Sequence, residues 1–167
     1  MNELRNHPRL ISAVKTLMLI DLALIMGVLM AAGVLMFVRS SQTAGQPAEF
    51  ATPLITYVAA GVGAMTLLMS FVLPGSMDSA FRQKLKASAV RTDDPVPFLN
   101  AYFIRNIVVA AMLEGGAFFN VIGFFIEGRP LSLVATGLLL AVMGMQMPNT
   151  DRAAGWIERQ RRHIQSE

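Results

Sequence analysis

A chain of 167 residues with 54% hydrophobic and 15% charged residues lacks the charge of a soluble domain, which carries about a quarter. The absence of cysteine excludes disulfides, thiolate metal sites, iron–sulfur clusters and thiol catalysis; the two histidines, His7 and His163, lie in polar ends and cannot hold a membrane haem between them. The pI near 9.8 does not point to nucleic acid, because the basic residues flank apolar blocks, where they set membrane orientation.

Those apolar blocks are about 20 residues long, enough to cross a hydrocarbon core of about 30 Å at 1.5 Å per residue. The expected fold class is all-α: a four-transmembrane-helix membrane protein with both termini cytoplasmic. Residues 1–14 read as a cytoplasmic segment and 15–148 as the membrane domain, with spans at about 15–38, 52–73, 104–126 and 130–147. Residues 149–167 read as a basic amphipathic tail.

Span one, "KTLMLIDLALIMGVLMAAGVLMFV", is too long for a signal-peptide core and is interrupted by Asp21, so it is expected to stay in place. Asp21 lies about 9 Å from the inner interface by helical rise. It either faces the headgroups, the preferred reading, or approaches Glu114 from below. The stretch "SSQTAGQPAEF" reads as a flexible polar loop. After span two, "SMDSAFRQKLKASAV" puts Met77, Phe81 and Leu85 four apart, opposite Arg82 and Lys86. This segment of the 76–90 loop is expected to be an amphipathic helix on the membrane surface or an extension of span two. Asp94 followed by Pro95 marks the start of a third helix of about 30 residues.

Glu114 sits inside the third apolar run, about 13 Å from the inner interface and about 20 Å from the outer. A carboxylate at that depth costs at least about 2.5–3.5 kcal/mol, which favours the neutral acid. Thr66, at a similar depth on span two, is the first candidate for its hydrogen-bond partner. Asn120, turned about 120° away around the helix, shares a face with Gly116 and Gly123 that reads as a packing seam. Its depth matches that of Thr136, so an Asn120–Thr136 hydrogen bond is expected to hold spans three and four together. In "IEGRPL", Gly128 reads as a helix C-cap and Pro130 as a first-turn residue, giving a tight antiparallel hairpin. The tail offers Asn149, Thr150 and Asp151 as caps, and puts Trp156, Ile157 and Ile164 on one side. That side reads as an interfacial anchor with Trp156 at headgroup depth; contact with a protein partner is the alternative.

The flanking charges set the direction. Arg5, Arg9 and Lys15, then Arg82, Lys84, Lys86, Arg91 and Arg105, then Arg152, Arg159, Arg161 and Arg162 all fall on one side of the four spans. Of the 14 basic residues only Arg39 and Arg129 fall on the other. The positive-inside rule places the termini and the central loop in the cytoplasm, with the chain in the cytoplasmic (inner) membrane. Small residues recur four apart at Gly27 and Ala31, Ala60 and Ala64, Ala111 and Gly115, and Gly137 and Ala141. Such pairs let helices approach closely, within the chain or between copies.

The glycine-rich "YVAAGVGAMTL" followed by "AVRTDDPVPFLNAYFIRNIVVAAMLEGGAFF" resembles the helical hairpin of rotary ATPase subunit c, over residues 57–126. The shared features are closely spaced glycines, a small–Arg–polar–Pro turn, and small residues just before a membrane carboxylate. The resemblance implies that Glu114 is a proton or sodium site and that Arg91 with Pro95 forms the loop signature. Asp93–Asp94 replace the family's glutamine and two further spans flank the hairpin; the whole chain looks like a bacterial four-span membrane protein.

No nucleophile–base pair, phosphate-cradling glycine loop or metal cluster is visible, so neither enzymatic chemistry nor a cofactor is expected. Two functions remain. In the structural one, Glu114 stays protonated, bonds to Thr66 or to a backbone carbonyl of a neighbouring helix, and fixes a homo-oligomer or a larger membrane complex. In the ion-handling one, copies pack into a ring or bundle, and Glu114, with Thr66 and Asp21 as the other candidate groups, exchanges a proton or sodium ion. The lipid bilayer is the common partner of both. A docking role for the basic loop and tail is compatible with either.

Overall fold

The computed structural model of the chain describes residues 7–42, 54–87 and 96–165, which form five α-helices and no strand. In chain order these are α1 (Pro8–Gln42), α2 (Leu54–Ala87), α3 (Val96–Glu127), α4 (Pro130–Gln146) and α5 (Thr150–Gln165). Helices α1, α2 and α3 are each long and apolar enough to cross a membrane. With 17 residues, α4 is at the lower end of spanning length. Arg5, Arg91, Asp93, Asp94, Pro95 and residues 43–53 lie outside the described residues.

The helix ends follow local chemistry. The His7 carbonyl accepts the N–H groups of Leu10 and Ile11 at 3.0 and 3.2 Å, and Pro8 opens α1, where its missing N–H leaves no bond unmade. Gly128 ends α3 with φ +69°, and its N–H donates to the Phe124 carbonyl at 2.7 Å. Side-chain-bearing residues avoid that conformation, so the hairpin into Pro130 has the expected form. Asn149 caps α5: its Oδ1 accepts the Asp151 N–H at 3.0 Å and its carbonyl accepts the Ala153 N–H at 2.9 Å.

In the segment expected at 76–90, the described residues 76–87 extend the second helix; residues 88–90 lie outside the described residues. Helix α2 continues through Pro74 to Ala87, and Phe81 and Leu85 turn inward against apolar neighbours. Helix α3 has 32 residues, close to the length its sequence suggests.

The chain forms two compact units. One draws on Met1–Asp21, Phe71–Val109 and Met147–Glu167, the other on Leu22–Ser70 and Ala110–Gln146. In the first unit, Leu10, Val14 and Leu17 of α1, Phe98, Leu99 and Tyr102 of α3, and Ala153, Ala154, Trp156 and Ile157 of α5 form one core.

Trp156 is a core residue of this unit. It is 4% exposed, its ring lies 5.6 Å from that of Tyr102 and 6.2 Å from that of Phe81, and its Nε1–H donates to Asp78 Oδ2 at 3.1 Å. The physical reason is that α5 carries one apolar stripe, and α1, α2 and α3 offer that stripe a packed surface. Close packing gains dispersion contacts that a disordered headgroup region cannot match.

Candidate functional site

Glu114 belongs to the second unit, on the stretch of α3 that reads as membrane. A side chain at Gly27 of α1 would begin 4.0 Å from Glu114 Oε1, so the carboxyl faces α1 at a position without a side chain. It is half-buried, and among the described residues it makes no hydrogen bond. The expected bond to Thr66 is not formed. Thr66 Oγ1 donates instead to the Gly63 carbonyl of its own helix at 2.9 Å, and its side chain packs on Gly116. Two residues along a helix turn it by about 200°, so a threonine seated on Gly116 is on the wrong side for Glu114.

Asp21 is buried, 5% exposed, which corrects the headgroup-facing reading. It continues the stripe of Leu10, Val14 and Leu17 along α1, a spacing of three and four that keeps one helix face turned inward. Its Oδ1 has no hydrogen-bond partner among the described residues. Asp21 thus belongs to the first unit, and Thr66 and Glu114 to the second.

The seam read from Gly116, Asn120 and Gly123 is present, with other bonds than expected. Asn120 is fully buried, and its Nδ2 donates to the Ala59 carbonyl of α2 at 3.0 Å and to the Gly116 carbonyl at 2.9 Å. Thr136 Oγ1 has as acceptors the Ser132 carbonyl at 2.9 Å and the Ala117 carbonyl at 3.4 Å. The Asn120–Thr136 bond is replaced because each donor has a backbone carbonyl nearer at hand. Asn120 consequently ties α3 to α2, and Thr136 ties α4 to α3.

Close approach is what makes those bonds possible. A Cβ at Gly63 would lie 2.8 Å from Asn120 Nδ2. One at Gly116 would overlap the Thr66 hydroxyl and lie 3.2 and 3.3 Å from Thr66 Cβ and Cγ2. Gly116→Ala is expected to destabilise the protein by about 1–3 kcal/mol, the usual cost of overpacking. Adding Thr66→Ala should return most of that loss, and a double-mutant cycle in mixed-micelle unfolding measures the coupling. Additive effects would mean that these two side chains do not touch.

Sequence reasoning missed a second polar cluster in the same unit. Glu127, 8% exposed at the end of α3, accepts the Ile55 N–H at 2.7 Å and the Thr56 N–H at 2.8 Å. It caps the start of α2, a helix to which it does not belong, supplying negative charge to a positive helix end. Arg39 of α1 donates to the Phe124 carbonyl at 3.3 Å and to the Phe125 carbonyl, and its guanidinium lies 5.7 Å from the Phe124 ring centroid. Three helix ends are thereby joined through two charged side chains.

A lone carboxyl against a glycine gap can give or take a proton, or share one with a neighbouring chain. It has no hydrogen-bond partner among the described residues. Among the described residues, no group of three or more His, Asp or Glu side chains is placed to hold a metal ion. No protein-family model, curated protein or solved structure matches the chain.

Proposed function

We propose that the chain is a four-span, non-enzymatic subunit of an oligomeric assembly in the cytoplasmic membrane, and that Glu114 fixes its packing against a neighbouring chain. The observation that carries this reading is the Glu114 carboxyl, set among apolar residues on α3 and without a hydrogen bond from the described residues of its own chain. In hydrocarbon an unsatisfied polar group costs several kcal/mol, so a partner from outside the chain is favoured strongly. Two of the small-residue pairs, Ala111 with Gly115 and Gly137 with Ala141, lie on exposed faces, where they permit close approach of another helix.

The topology follows from charge and parity. Three spans would put Arg9 and Lys15 on the opposite side from Arg152, Arg159, Arg161 and Arg162; with α4 as a fourth span, all of them are cytoplasmic. The α2–α3 connection then lies on the same side.

An ion-handling reading uses the same atom, and the partial exposure of Glu114 favours it as the second choice, with a proton or sodium ion as the cargo. Carbodiimide labelling in native membranes, followed by mass spectrometry, separates the two, because the reagent needs a protonated and accessible carboxyl. A sealed interchain bond predicts no modification of Glu114 from acid to alkaline pH. Labelling that fades as pH rises, or that sodium blocks, would replace the structural reading with an exchangeable ion site.

A further inference from the structure

The first unit has a small open cleft of about 150 Å³ that plays no part in the reading of Glu114. Met77 and Phe81 of α2, Ala101 and Ile104 of α3, and Trp156 of α5 form its apolar walls, and Asp78 and Arg105 supply its polar edge. Asp78 is the first charged residue after the long apolar run of α2. Arg105 is the last basic residue before the apolar run of α3. On both helices the cleft therefore sits at the boundary between polar and apolar sequence, the level at which a bilayer has its headgroups.

The charged pair is incompletely used. Among the described residues, Arg105 donates one hydrogen bond, a long one of 3.5 Å to Asp78 Oδ2, and its guanidinium stacks 5.8 Å from the Trp156 ring centroid. Its fork of five N–H donors suits a phosphate, and most of those donors are unspent. Asp78 Oδ2 takes the indole N–H and the Arg105 bond, and Oδ1 takes none from the described residues. The two side chains remain 25% and 19% exposed, so both can be reached from outside.

We propose that this cleft binds a zwitterionic phospholipid headgroup, the phosphate on Arg105 and the ammonium on Asp78, with the adjoining methylenes against the apolar walls. The pair has no net charge, which matches a phosphoethanolamine group better than an anionic headgroup. Five apolar walls out of seven lining residues favour a lipid over free phosphate. The inference rests on membrane insertion and is independent of what Glu114 does.

The test is native mass spectrometry of the purified full chain in detergent, titrated separately with phosphatidylethanolamine, phosphatidylglycerol and inorganic phosphate. Wild type should hold one phosphatidylethanolamine, preferred over phosphatidylglycerol by about tenfold, the worth of one charge-assisted hydrogen bond. Asp78→Asn keeps an oxygen for the Trp156 indole, so it should fold normally and lose the preference between lipids. Arg105→Gln should lose binding of both, and Ala101→Phe, which fills the cleft, gives the same loss without touching a charge. Equal binding of the two lipids by wild type, unchanged binding in Ala101→Phe, or displacement by inorganic phosphate would each overturn the proposal. Labelling of Glu114 is unaffected by any of these results, so the two readings fail separately.

Discussion

Trp156→Ala is expected to destabilise the protein by about 3–5 kcal/mol, the range for removing a large aromatic side chain from a packed core. The side chain is 4% exposed and contacts three helices besides its own: Phe81 and Asp78 on α2, Tyr102 on α3, and the core that Leu10, Val14 and Leu17 of α1 complete. Two losses combine. The vacated volume is walled by side chains on stiff helices and collapses poorly, and Asp78 keeps only its long bond to Arg105. Trp156→Phe should recover much of the packing and none of the indole hydrogen bond, so it should fall between the two. Because Trp156 is the single tryptophan, unfolding in mixed micelles is best followed by far-UV circular dichroism. An interfacial anchor behaves differently: its removal would weaken membrane attachment of the tail and leave the unfolding transition almost where it was. A change below about 1 kcal/mol, as for a surface substitution, would remove Trp156 from the core of this fold.

That contrast marks what the sequence makes legible. Helix type and number, the Gly128–Pro130 hairpin and the cap at Asn149 depend on neighbours in the chain, and each is visible as a local pattern. The stripe of α5 is equally visible, yet a stripe states only that one face avoids water. Whether lipid or protein covers it depends on Leu10, Phe98 and Phe81, which are far away in sequence. Asp21 is a similar case with a missed signal: it continues the spacing of Leu10, Val14 and Leu17, and that periodicity argued for burial more strongly than its charge argued for the headgroups.

Glu127 and Arg39 had no signal of this kind. Their partners lie 71 to 86 residues away, and a residue that caps another helix in space leaves no motif in its own surroundings. The Asn120 and Thr136 bonds show an intermediate outcome. Depth along the helices pointed to both as interior, and both are buried; the choice of acceptor was decided by backbone carbonyls, which every sequence has and no sequence displays.

Glu114→Leu is expected to abolish the assembly in mild detergent, and Glu114→Gln to preserve it. An interhelical hydrogen bond in a membrane is worth about 1–2 kcal/mol, roughly a tenfold change in association at each interface. In a closed ring the factor applies at every contact, so a modest pair energy becomes a large change in the fraction assembled. Leucine is a suitable probe because it is apolar and of similar size, and the glycine gap at Gly27 leaves it room; what it removes is the hydrogen bond. Glutamine keeps both a donor and an acceptor at the same reach, so an assembly held by a neutral acid should tolerate it. The same pair of variants separates the ion reading, in which glutamine leaves the oligomer intact and stops transport in reconstituted vesicles. Intact oligomers of the leucine variant, seen by analytical ultracentrifugation or native mass spectrometry, would show that Glu114 does not hold neighbouring chains together. Exchange chemistry would then be left to explain a carboxyl at this depth, with the gap at Gly27 beside it as a path for the ion.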